Sequence, residues 1–232
     1  MRNQTSSAFS KHRNLKNHKN SRRRFLGASA LLTAGTLLLP QEGVASTGTI
    51  AVPDDLYLIG PKDGFSPHIG TMLSMMTMMR AWVVHEVESL TQEELDFQID
   101  DKSNSIGAML WHLAATEKYY QLNTFENISW GEWSQEIKDE WDVASALGET
   151  AREQIKGNEI SFYLDKLEAV RNHTVDTFRG LDDSWLMQSE PFFPLGKGAL
   201  GETNNYAKWF HVCEHESNHN GQIKFIKNRF PE

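Results

Sequence analysis

The stretch His211-Val212-Cys213-Glu214-His215-Glu216-Ser217-Asn218-His219-Asn220-Gly221-Gln222-Ile223 lies in a segment, about 204–229, that reads as one helix and is terminated near Pro231. Successive helical residues turn by about 100°, so His211, His215 and His219 follow one another at about 40° on a single stripe. Side chains at i and i+4 lie one above the other, so either neighbouring pair can grip one ion. Asn218 and Gln222 flank the stripe and can orient imidazoles, whereas Cys213 falls about 200° from His215 and reads as a core thiol. The bland reading, a polar helix face carrying solvated histidines, stays open for any one pair.

Three further helices surround this one. Ser66-Pro67 is a helix start, with Ser able to cap and Pro suited to the first helical position. Apolar residues at three- and four-residue steps from Ile69 to Leu90 predict an amphipathic helix over 67–90. Thr91 to Glu94 is a capping-box pattern for a short turn beyond it. Similar patterns predict helices over 105–122 and 159–180. The Trp-rich stretch 123–158 is expected to hold short helical pieces at 132–142 and 149–155. Residues 189–204, with Pro191, Pro194, Gly196, Gly198 and Gly201, read as a loop. No strand alternation is long enough for a sheet, and the expectation is an all-α, four-helix bundle.

His112 lies inside the apolar run Ile106-Gly107-Ala108-Met109-Leu110-Trp111-His112-Leu113 of the second helix. A buried imidazole needs a metal or a hydrogen bond, so a core histidine paired to a carboxylate is the alternative. His215-Glu216-Ser217-Asn218-His219 also satisfies H-E-x-x-H, the zinc-protease pattern. Only 13 residues follow His219, and the one acid or histidine among them is Glu232, so a downstream third ligand is lacking. The extended form would want Gly at 222 and His at 225, where this chain has Gln222 and Phe225. The inverted form, His211-Val212-Cys213-Glu214-His215, is less constrained by the chain end but has nothing else in its favour.

The first 45 residues differ from the rest. They carry eight of the chain's 23 Lys/Arg and one of its 31 Asp/Glu, which leaves 15 basic against 30 acidic residues and a net charge of −15 beyond them. Such a surface excludes polyanion partners, nucleic acid and anionic lipid alike. Arg22-Arg23-Arg24-Phe25-Leu26 precedes an apolar run to Leu39, closed by Pro40 and followed by Gly43-Val44-Ala45. We read 1–45 as a twin-arginine export signal cleaved near Ala45, 46–65 as a lead-in and 66–232 as the working domain, exported to the periplasm. The run is too short to favour a permanent span, which needs about 20 apolar residues. A single cysteine excludes an internal disulfide.

Two segments together carry a family resemblance: Asn104-Ser105-Ile106-Gly107-Ala108-Met109-Leu110-Trp111-His112-Leu113 with Glu117 and Tyr119-Tyr120, and the 211–223 stretch. Their order and spacing over about 66–229 resemble the DinB-like superfamily. The resemblance implies a four-helix bundle holding a divalent metal through one His on the second helix and an H-x3-H pair on the fourth, carried over here as His112, His215 and His219. His211 resembles a position that is frequently His without being a ligand. The family often has Arg where this chain has Asn220.

Three neutral imidazoles leave an open coordination position, as in a catalytic metal site, and Zn²⁺ or Ni²⁺ suits such a donor set. The implied function is a metal-dependent hydrolase acting through activated water, with Glu216 as candidate base. The alternatives are a transferase of a low-molecular-weight thiol, which export disfavours, and a metal-binding or stress-response bundle without turnover. The substrate is a small molecule of unspecified class. Tyr119 is a candidate pocket residue against an ordinary interface role, and Arg80 and His85 read as solvated-face residues. Met75-Met76-Thr77-Met78-Met79 offers apolar surface for a homodimer or for core packing.

Overall fold

The computed structural model describes residues 55–195 and 199–231. The expected export signal lies outside them. Beyond an irregular segment at 55–66, the described chain forms α1 (Pro67–Val87), α2 (Gln92–Asp96), α3 (Ile106–Thr124), α4 (Gln135–Ala146), α5 (Gly148–Gln154), α6 (Ile160–Phe178) and α7 (Asp183–Leu186). These are followed by β1 (Ser189–Leu195), β2 (Ala199–Asn204) and α8 (Asn205–Lys227).

Helix starts follow the local chemistry. Ser105, Ser134 and Asn204 each accept a hydrogen bond from a first-turn N–H, and Thr91 with Glu94 completes a capping box. At α1 the expected cap is different. Ser66 makes no capping bond. Asp183 of α7 instead accepts from His68 N at 2.9 Å and Ile69 N at 3.1 Å, and the Ser66 hydroxyl donates to the same carboxylate. The 189–204 segment corrects the expectation of a loop. Its described parts, β1 and β2, pair antiparallel, with the register interrupted between Glu190 and Phe193.

Four long helices make a closed ring. α1 packs on α8 and α6, and α3 packs on the same two, with α4 laid outside α3. Their inner faces form two apolar clusters. One holds Ile69, Met72, Met76, Phe178 and Trp209; the other holds Val83, Leu110, Leu113, Leu167 and Ile223. Met76 belongs to the core, with Met75 and Met79 partly buried against it, so that run is used at least in part for packing within the chain. Among the described residues no helix is long and apolar enough to cross a membrane.

Candidate metal centre

α3 and α8 bring His112, His215 and His219 together. His112 Nε2 lies 2.8 Å from His215 Nε2, and His219 Nε2 lies 3.2 Å from the same atom. The ring centroids are 4.6–5.0 Å apart. Nitrogens bound tetrahedrally to one ion at about 2.05 Å stand roughly 3.3 Å apart; the His215–His219 separation is close to that, the His112–His215 one is shorter, and all three ligand atoms lie within 4.8 Å of one another.

The tautomer of His112 follows from its other partner. Its Nδ1 faces the Ala144 carbonyl at 3.0 Å. A carbonyl only accepts, so Nδ1 carries the proton and Nε2 of the neutral ring presents its lone pair to the other two imidazoles. Ala144 lies in the last turn of α4, where carbonyls lack intrahelical partners. Its ordinary partner would be Gly148 N, which donates instead to Asn104 Oδ1 at 3.1 Å. Leu147 at φ 55° and Gly148 at φ 79° make the sharp break that leaves this helix end free. A helix end thus orients the candidate ligand, as a carbonyl commonly does for a metal-bound histidine.

Burial holds the trio neutral. It lowers the pKa of His112, and it brings His215 down to about 3 and His219 to about 4, with the neighbouring imidazoles adding to each shift. His219 is 5 % exposed, and its Nδ1 is buried without a protein partner. Three converging nitrogens of uncharged imidazoles suit a cation. The residues therefore fit a divalent ion.

The other residues singled out in the sequence have partners of their own. Glu216 is buried and ion-paired to two arginines. Its Oε1 accepts from Arg80 Nε at 3.0 Å, from an Arg80 terminal nitrogen at 2.6 Å and from Arg171 at 2.7 Å. Its Oε2 is buried with no hydrogen-bond partner, so one oxygen of the candidate base is left uncommitted. Arg80 is a correction, since it is buried rather than solvated. His85 does lie exposed. Tyr119 stacks on Trp133 at 4.9 Å, and its hydroxyl donates to Asp142, an interface role. Cys213 is buried in the apolar core, which pushes its thiol up to about 11. His211 sits on the outer side of His215, ring centroids 5.1 Å apart, with Nδ1 2.9 Å from the Tyr120 hydroxyl.

The centre of the bundle holds a feature the sequence analysis missed. Each long helix contributes one charge: Arg80 from α1, Glu117 from α3, Arg171 from α6 and Glu216 from α8. Arg171 bonds Glu117 at 2.9 and 3.1 Å, and Arg80 reaches Glu117 at 2.8 Å. The remaining guanidinium donors go to the Leu167 and Met76 carbonyls, and Thr174 donates to Glu117. A signal was present, since Met76-Arg80-Val83-Val87 and Leu167-Arg171-Thr174-Phe178 place both arginines on the apolar stripe at helical spacing.

No curated protein matches the chain. The sequence does match the DinB superfamily over residues 75–223, more than half of its length and including His112, His215 and His219. The match and the helical architecture agree, and the chain belongs to the DinB superfamily.

Proposed function

We propose that this protein holds one divalent metal ion through His112, His215 and His219 and uses it in a hydrolytic reaction on a small molecule. The observation that carries the metal reading is the convergence of three Nε2 atoms while Ala144 fixes the His112 tautomer. An ion bound there supplies Lewis acidity that makes water a usable nucleophile near neutral pH.

The chain's own groups supply the positioning. Ala144 holds His112 with its lone pair inward. The Arg80–Glu216 and Arg171–Glu216 pairs fix the α8 residue next to His215. The buried, neutral rings keep protons from competing for the nitrogens at ordinary pH. Residues 1–45, acting as a twin-arginine signal, would export the protein folded and already loaded with metal.

Elemental mass spectrometry of the purified chain, beside His112→Ala and His215→Ala, tests the assignment. We expect one ion per chain to be held through purification in the wild type and in neither variant. No bound ion after incubation of the wild type with Zn²⁺ or Ni²⁺ overturns it. A hydrolase screen of the loaded protein then tests turnover, and absence of activity across ester, amide and phosphoester substrates would leave a metal-binding bundle.

A further inference from the structure

α8 carries two overlapping histidine pairs, 211/215 and 215/219, and the trio described above uses only the second. The first pair has a partner of its own. One ligand atom each from His211, Glu214 and His215 lies within 4.8 Å of the others. His211 Nε2 stands 3.8 Å from Glu214 Oε1, with the two side chains 25 % and 35 % exposed. The His211 ring is held through Nδ1 by the Tyr120 hydroxyl, which leaves Nε2 turned to Glu214, and Asn218 donates to the other Glu214 oxygen. These contacts aim His211 and Glu214 toward one point beside His215, on the more exposed side of a trio whose deepest member is 5 % exposed.

The two groups differ in charge. The inner trio offers three neutral imidazoles and no anion, so it attracts a hydrated dication only weakly from a distance. Glu214 is the one carboxylate in either group, and carboxylate with imidazole is a donor set for Zn²⁺, Ni²⁺ or Co²⁺. The groups share His215, and two dications this close would repel each other. They are alternatives for one ion.

We propose that His211, Glu214 and His215 form an outer divalent-cation station that takes the ion from solvent and passes it inward, His215 remaining bound while His211 and Glu214 are exchanged for His112 and His219. The proposal rests on the metal-centre reading above. Its cause is kinetic: a charged, accessible first position raises the capture rate, and a shared ligand spares the ion full release between positions.

Stopped-flow uptake of Co²⁺ by the metal-free full chain, followed by its visible absorption, tests this. Glu214→Gln keeps the Asn218 hydrogen bond and removes the charge. We expect uptake slowed by about tenfold, with the end point still one ion per chain. The paired variant His112→Ala/His219→Ala leaves the outer station alone and should still bind one Co²⁺, more weakly. Adding Glu214→Gln to it should abolish that binding, with circular dichroism confirming the helices in each case. Uptake by Glu214→Gln at the wild-type rate overturns the outer station, and so does a paired variant that is folded but binds no Co²⁺; either leaves the inner centre standing if the wild type binds one ion. A wild type that takes up no Co²⁺ removes the inner centre and this proposal with it.

Discussion

Glu117 shows how far a buried charge depends on its partners. Burial alone would push its carboxyl up, but Arg171 and Arg80 outweigh that and pull it down to about 2 from an ordinary 4.5. A carboxyl lowered in the folded state stabilises fully above its unfolded pKa. That contribution is lost as pH falls from about 4.5 through about 2. Arg171→Met leaves two carboxylates sharing Arg80, and breaking such a buried group costs about 3–5 kcal/mol. Urea titration at neutral pH should show that loss as a lower midpoint, and the acid-unfolding midpoint should move to higher pH because Glu117 is then less depressed. Pairing Arg171→Met with Glu117→Met should recover much of the stability, since Arg80 and Glu216 remain matched. If the single variant unfolds at the wild-type urea concentration, the four charges are not a coupled group.

Helices α1 and α3 illustrate why some element boundaries can be read locally and others not. The Ser105, Thr91 and Asn204 caps act within three residues, so sequence spacing reveals them. The α1 start is capped by Asp183, 117 residues from Ser66, and only the packing of α7 on α1 brings that carboxylate there. Asp183→Ala is therefore expected to cost about 1–2 kcal/mol. Ser66→Ala, which leaves both N–H bonds to Asp183, should cost clearly less; equal losses in thermal unfolding would return the capping role to Ser66. At the α3–α6 seam, a Cβ added to Gly107 would stand 2.6 Å from the Tyr163 hydroxyl oxygen and 2.7 Å from its ring carbon. Gly107→Ala should thus lose about 1–3 kcal/mol through overpacking, although Ala is ordinarily the better helix former. The β1–β2 pair was illegible for a different reason. Pro191 and Pro194 each remove a ladder donor and argue against a central strand. A two-stranded sheet consists of edges only, and edges tolerate proline.

Across the whole molecule, the bundle joins two polar centres of unlike legibility through α8. The histidine trio could be approached from sequence because two of its members share one helix at i, i+4 and the third interrupts an apolar run. The charge cluster showed in sequence only as two arginines on apolar stripes, because each of its four members stands alone on its helix and pairs only across the bundle. Glu216 belongs to that cluster although its neighbours in sequence pointed it toward the metal site. An ion bound at the trio would add to global stability, since α3 and α8, the two helices it would tie together, separate on unfolding. An ion at a hundredfold excess over its Kd should add about 2.7 kcal/mol, a rise in Tm of about 5–10 °C for a domain of this size. Calorimetry with and without Zn²⁺ should show that rise, growing with metal concentration, in the wild type. His112→Ala should lose most of it, because the remaining pair lies on α8 alone and ties no second helix. A full rise in His112→Ala would mean that the stabilising ion binds away from the α3–α8 junction, and the link between metal and bundle would fail.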